Sequence, residues 1–211
     1  VEDNPVSLRD LAAQVDAARD PQDTWCSPEK AEALAMLVAA LRPQLVVEIG
    51  VWQGASLLPM LLALRHNGTG RAIAVDPWSA AVSVTNEVAA NVEWWARADH
   101  DAAFGKFCAR CEALGVRSIC DVWRKPSDAC DPPNEIGILH VDGSHTEQAV
   151  RDVERYAANV RIGGALVLDD CNWSGGGVLR AHERAIELGF VDLYPLGTGV
   201  TMQRIWKGIA A

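Results

Sequence analysis

The chain predicts an α/β fold, a doubly wound and largely parallel sheet with helices on both faces. Three observations lead there. From residue 45 to about 188, short buried-strand runs alternate with helical patterns, as in chains whose parallel strands are joined by crossover helices. The runs Leu45–Ile49, Arg71–Val75, Ile136–Val141 and Gly164–Leu168 are each followed by a glycine or an aspartate. Two last strand-like runs, Phe190–Tyr194 and Val200–Trp206, are joined by Pro195-Leu196-Gly197-Thr198-Gly199, so a terminal hairpin adds an antiparallel edge.

The elements follow in order. Leu8, Leu11, Ala12 and Val15 give a first helix a modest apolar face. Ser27 is placed to cap a second helix, Pro28 suits its first position, and Leu34, Leu37, Val38 and Leu41 form its stripe. A Leu-rich helix from Ser56 to Arg65 follows the first strand. Residues Asn86–Leu114 read mostly as helix and Ser118–Val122 as the third strand. After the fourth strand, Ala149, Val150, Val153, Ala157 and Val160 share one helix face, with Glu147, Arg151, Asp152 and Arg155 outside. A Gly-rich turn at 175–177 then leads into a helix ending near Leu188.

With 211 residues and no linker, repeat or compositional break, residues 1–211 read as one domain: N-terminal helices over 1–42 and an α/β core over 43–206. A hydrophobic fraction of 49% with 22% charged residues excludes a disordered chain. The formal charge of −9 argues against non-specific nucleic-acid binding and suits cations and small molecules. The longest apolar stretch, Ala33–Leu41, is stopped by Arg42-Pro43, well short of a membrane span of ~20 residues. The start, Val1-Glu2-Asp3-Asn4-Pro5, lacks signal-peptide character, so a cytoplasmic location is expected. Cys108-x-x-Cys111 with Cys120 and Cys130 admits a zinc reading. The helical and strand patterns around them favour buried thiols acting as small hydrophobes.

Two groups of residues carry chemistry. At the end of the first strand, Glu48-Ile49-Gly50 leads to Gly54, and Asp76 ends the second strand. Glycine there allows a tight turn and close approach to a ligand, and an acidic side chain at the second strand can accept ribose hydroxyls. Gly50-x-x-x-Gly54 departs from G-x-G-x-x-G, which counts against a nicotinamide-dependent dehydrogenase. At the far strand ends, Asp142 is joined by Asp169-Asp170, and three carboxylates in one crevice repel unless a cation or shared proton relieves them. Asp142-Gly143-Ser144-His145 adds a histidine beside them.

Glu48-Ile49-Gly50-x-x-x-Gly54 with Asp76 and the strand–helix alternation resembles a class I S-adenosylmethionine-dependent methyltransferase over residues 40–206. The resemblance implies strand order 3-2-1-4-5-7-6 with strand 7 antiparallel. It also implies that Glu48, Gly50 and Gly54 border the methionine part of the cofactor, Asp76 holds the ribose, and Ser127 lies near the adenine. The Asp142…His145 and Asp169-Asp170 pattern resembles the metal-dependent O-methyltransferases, in particular the macrocin-type enzymes that methylate sugar hydroxyls of natural products. That likeness implies Asp142, Asp169 and Asp170 as Mg²⁺ ligands, Asp142 also bordering the cofactor, and His145 as base. Catechol-type relatives usually carry Asn where Asp170 stands, which tilts the comparison toward the sugar-type group.

The chemistry is coherent. A hard cation lowers the pKa of a bound hydroxyl, and a histidine near neutrality can take its proton. The expected acceptor is therefore a small hydroxylated molecule. Alternatives are a metal-independent methyltransferase, or a binding module that holds the cofactor without turnover. The Trp-rich segment 77–105 is a candidate substrate lid, with core packing the competing role for at least one of Trp94 and Trp95. Trp173 and the glycine run after it form either a substrate loop or a plain turn. The N-terminal helices are a candidate interface for a homo-oligomer.

Overall fold

Alternating burial along each central strand builds the architecture. Val46, Ile138, Ala165 and Val167 face one apolar cluster, while Val47, Leu139, Leu166 and Leu168 face the other. A computed structural model describes residues 7–85, 87, 89–173 and 175–205. Its strands are β1 (Leu45–Ile49), β2 (Arg71–Val75), β3 (Cys120–Trp123), β4 (Ile136–Val141), β5 (Val160–Leu168), β6 (Phe190–Leu196) and β7 (Gly199–Arg204). They form a sheet of order β3-β2-β1-β4-β5-β7-β6, parallel except for β7, which runs antiparallel to both β5 and β6. The expected order and the expected antiparallel strand are both present.

The helices are α1 (Leu8–Ala18), α2 (Pro28–Leu41), α3 (Leu57–Asn67), α4 (Ala80–Ser83), α5 (Ala89–Arg97), α6 (His100–Ala113), α7 (Glu147–Tyr156) and α8 (Gly177–Glu187). Helices α1, α2, α3 and α6 pack on one face of the sheet, and α7 and α8 on the other. Ser27 caps α2 by accepting from the backbone N–H of Lys30, with Pro28 at the first position as its fixed φ favours.

Several boundaries differ from the sequence reading, each for a local reason. The expected helix over 86–114 is two helices, α5 and α6, because Asp99 caps a new one by accepting from the backbone of Ala102. Its proposed start, Asn86, lies outside the described residues, as do Val1–Pro5 and Trp206. The third strand begins at Cys120, after a 3-10 turn over Arg117–Ile119. Val160 opens β5 instead of closing the helix before it, and β5 reaches back past Gly163-Gly164 through a register shift opposite β4. Asp152, expected outside, is buried and accepts from Ser127 Oγ at 2.6 Å. Neither Trp94 nor Trp95 is buried; the core tryptophan of this segment is Trp78, stacked on Phe107.

Among the described residues no helix is long and apolar enough to cross a membrane. The six cysteines are free thiols, four of them buried.

Candidate active site

Because β1, β4 and β5 are neighbours, their carboxyl ends bring Gly50, Asp142 and Asp169 side by side. The ladder continues one residue past the strands: Asp142 N donates to Ile49 O at 2.8 Å and Asp169 N to Val141 O at 3.1 Å. Above these ends opens a cleft of about 800 Å³ whose lining includes Gly50, Asp76, Ser127, Asp142, His145 and Asp170. This is where a doubly wound sheet presents its ligands.

The end of the cleft where the cofactor is expected is shaped by Gly50. Its φ is +87°, and a Cβ there would lie 2.2 Å from the carbonyl oxygen of Asp142, so only glycine lets β1 turn against β4. Asp76 holds the turn that follows. Its Oδ2 accepts from the backbone N–H groups of Val51 and Trp52 at 2.9 Å each, and its Oδ1 accepts from Trp78 at 2.6 Å. Burial pushes the Asp76 carboxyl up while these N–H groups pull it down. Trp52 and Trp78 have φ values of 48° and 40°, strained for bulky residues, and Asp76 helps to keep them there.

Gly54 and Glu48, which the resemblance implied would border the cofactor, are not among the residues that line the cleft. A Cβ on Gly54 would strike Phe107 at 2.5 Å, so this glycine admits α6 to the core. Glu48 is fully buried and accepts from Ser56 Oγ at 2.6 Å; its Oε2 lies 3.5 Å from His140 Nδ1 with no formed hydrogen bond. Burial raises Glu48 to about 8 and lowers His140 to about 4, so at neutral pH the pair is a carboxylic acid beside a neutral imidazole. His140 is thus a core histidine, neither of whose ring nitrogens makes a hydrogen bond.

A pH dependence follows. The unfolded chain loses the Glu48 proton at its ordinary 4.5, long before the folded chain does at about 8. The stability this carboxyl contributes is therefore full below pH 4.5 and is lost as pH rises toward 8. His140 acts in the opposite direction, its contribution vanishing as pH falls from 6.5 toward 4. The melting temperature of the wild type, relative to that of Glu48→Gln, is expected to fall as pH is raised from 5 to 8. A difference that stays constant over that range would mean that Glu48 is not buried as an acid.

Ser127 lies at the other end of the cleft. It is buried, its hydroxyl donates to Asp152, and Gln148 Nε2 donates to Ser127, Asp128 and Asp152 at 3.3, 3.1 and 2.9 Å. Burial raises Asp152 to about 6. Asp128 and Gln148 also line the cleft, and the sequence reading had passed over both.

Beyond the ends of β4 and β5, His145 Nε2 lies 3.1 Å from Asp170 Oδ2, close enough for attraction though off the line of a formed hydrogen bond. The imidazole packs on Trp173 with centroids 4.4 Å apart. The loop is braced from behind, because a Cβ on Gly177 would sit 2.4 Å from the carbonyl oxygens of His145 and Thr146, so α8 approaches them closely. Asp170 adopts φ 49° and accepts from Thr198 Oγ1 at 2.8 Å. The neighbouring His145 and Thr198 hold its carboxyl below the usual range. Ligand atoms of Asp142, His145 and Asp170 lie within 4.8 Å of one another.

Lys30 enters the same place from α2, unforeseen. Its side chain is 7% exposed, and its ammonium pairs with Asp169 and lies 3.4 Å from Asp142 Oδ2. A sequence signal existed: Lys30 shares the apolar stripe of Leu34 and Val38, and a cation in the first turn of a helix opposes its dipole. A second N-terminal contribution is Trp25, which meets Trp52, Trp94 and Trp95 in a cluster whose six ring pairs lie 4.7–6.1 Å apart.

A β3-β2-β1-β4-β5-β7-β6 sheet with a glycine turn after β1 and an acidic residue after β2 defines a class I S-adenosylmethionine-dependent methyltransferase. A family model described as a methyltransferase domain matches residues 47–171, more than half the chain, and the protein belongs to that family. No curated protein matches it in sequence. Its fold is similar to the O-methyltransferase NovP (TM-score 0.69, 14% identity, covering 85% of this chain and 81% of that one). It is also similar to the O-methyltransferase TomG from Streptomyces achromogenes, involved in tomaymycin synthesis and solved with S-adenosylmethionine (TM-score 0.62, 15% identity, covering 97% and 91%). A third likeness is to an O-methyltransferase from Bacillus cereus in complex with S-adenosylhomocysteine (TM-score 0.61, 13% identity, covering 94% and 90%). At these identities the likeness carries the fold.

Proposed function

We propose that the protein transfers the methyl group of S-adenosylmethionine to a hydroxyl of a small molecule, with His145 as general base. The observation that carries this reading is the placement of His145 and Asp170 in the same cleft as the Gly50 turn and Asp76. A proton acceptor in the cleft that would hold the methyl donor is what transfer to a hydroxyl needs. The O-methyltransferase neighbours support oxygen as the acceptor atom.

The residues suit the cofactor. Gly50 turns β1 tightly at the cleft wall, Asp76 retains lone pairs beyond those its three backbone donors use, and Ser127 and Asp128 offer polar groups where an adenine would lie. Glu48 would act from behind the cleft through Ser56, and Gly54 by shaping the turn. The cofactor supplies a methyl group already activated on a sulfonium. The chain's own work is to orient the hydroxyl, exclude water and accept one proton at the His145 imidazole. Asp170, 3.1 Å from Nε2, stabilises the imidazolium that results.

The residues also suit a divalent cation. Asp142, Asp169 and Asp170 against one ammonium leave a formal charge of −2, which Mg²⁺ would balance, and their oxygens are the hard donors it takes. Such an ion would lower the pKa of the acceptor hydroxyl. Lys30 favours a second reading, in which its ammonium supplies the positive charge and transfer proceeds without metal. The two part in one assay: methyl transfer in EDTA is expected to fall at least tenfold and to recover with Mg²⁺, and full activity in EDTA would establish the metal-free reading.

The segment over 77–105 is proposed as a cover for the cleft. Val82 and Ser83 of α4 and Asn91, Trp94 and Trp95 of α5 line it, and the tryptophan cluster ties α5 to the glycine turn. Calorimetry tests the cofactor half of the proposal: S-adenosylmethionine should bind and NAD should not, and the reverse would make the protein a dehydrogenase-type binder.

A further inference from the structure

Lys30 is an expensive residue to place where it is. Burying an ammonium is strongly unfavourable unless it is paired, and the N-terminal turn of α2 repels it. Its partners are Asp169 Oδ2 and, at 3.4 Å, Asp142 Oδ2. The other oxygen of Asp169, Oδ1, accepts from the backbone N–H of Asp170 at 3.0 Å. Both oxygens of Asp169 are therefore engaged within the protein. Asp142 Oδ2 shares the ammonium and Asp170 Oδ1 accepts from Thr198, yet one ligand atom each of Asp142, His145 and Asp170 lie within 4.8 Å of one another, a group that Asp169, held against the ammonium, does not join.

We propose that Lys30 is a positioning residue that commits Asp169 and sets the charge of the cation site, so that a divalent ion is held by Asp142 and Asp170 with Asp169 outside its ligands. This rests on the metal reading given above and narrows it. Lys30 lies outside the matched methyltransferase domain, on a helix that otherwise packs against α1 and α3. The N-terminal helices thereby become part of the active site. Two consequences follow from Coulomb's law in a poorly solvated site. Removing the ammonium takes the formal charge from −2 to −3 and frees Asp169 to ligate, so a divalent cation binds more tightly. Removing the charge of Asp169 alone takes it to −1 and weakens binding.

The test measures Mn²⁺ affinity by electron paramagnetic resonance of the free ion, on the full chain without acceptor. Circular dichroism and S-adenosylmethionine affinity check the fold of each variant. Lys30→Met is expected to bind Mn²⁺ at least tenfold more tightly than the wild type, and Asp169→Asn at least tenfold more weakly. The double variant Lys30→Met/Asp169→Asn restores the charge of −2 and is expected to return to within a few-fold of the wild type. Should Lys30→Met not fold, the double variant must still bind more tightly than Asp169→Asn. Equal affinities across the variants that fold, or weaker binding on loss of Lys30, would overturn the role of Lys30 while leaving the metal reading intact. No Mn²⁺ binding by any variant would overturn both.

Discussion

Replacing His145 by alanine is expected to lower kcat by about 10²–10⁴-fold, the contribution of a positioned general base. Cofactor affinity should be unchanged, because the imidazole touches Trp173 and Asp170 at the acceptor end and not the Gly50–Asp76 turn. The KM for the acceptor should move little, since the lost interaction is made in the transition state. Asp170→Asn is the useful companion. Asparagine tolerates the left-handed backbone that Asp170 adopts, so the loop survives while the charge beside Nε2 is lost. Its rate should fall by less than that of His145→Ala. Steady-state kinetics with calorimetry separate these outcomes, and a wild-type kcat for His145→Ala would remove the histidine from the mechanism.

The largest expected structural effect belongs to Gly50→Ala. A methyl group there would meet the Asp142 carbonyl carbon and oxygen and Gly143 Cα within 2.5 Å, all of them backbone atoms that no rotamer change can move. The φ of +87° adds strain for any L side chain. Strain of ~1–3 kcal/mol and overpacking of ~1–3 kcal/mol together suggest a loss of roughly 3 kcal/mol or more. For a domain of this size that is about 6–12 °C in Tm. Because β1 and β4 would have to part where the cofactor's methionine end is proposed to lie, S-adenosylmethionine affinity should fall with stability. Thermal denaturation with and without cofactor measures both. A variant with wild-type Tm and affinity would mean that the two strand ends are not in contact.

How much of this was legible in the sequence depended on whether the signal was local. Leu45-Val46-Val47-Glu48-Ile49 before Gly50, and Gly164–Leu168 before Asp169, announce buried strands and the turns that end them. The terminal hairpin was readable from its glycine-rich joint. Strand order came from resemblance, since crossover direction leaves no mark in any single segment. Boundaries failed where a pattern ran on without punctuation. The spacing of Val153, Ala157 and Val160 continues a helix that the chain leaves at Tyr156 with neither glycine nor proline to mark it.

That Asp142, His145, Asp169 and Asp170 lie together could be read because their strand ends adjoin in any sheet of this order. Lys30 could not be joined to them by pattern, standing 112 residues before Asp142. It was visible only as a misplaced charge on an apolar stripe. The Trp25, Trp52, Trp94 and Trp95 cluster was hidden for the same reason, because its members come from three separate stretches of chain. Asp152 was misread because a helical face shows where a side chain points but not that Ser127 and Gln148 wait there to bury it.

The central claim is that this cleft moves a methyl group onto oxygen. The most direct measurement is S-adenosylhomocysteine formation from S-adenosylmethionine in the presence of Mg²⁺, across small hydroxylated acceptors each paired with its own methyl ether. The account predicts product with at least one free hydroxyl, none with the matching ether, and a product mass raised by one methyl group. Tight S-adenosylmethionine binding with no S-adenosylhomocysteine from any acceptor, or equal turnover with hydroxyl and ether, would contradict it.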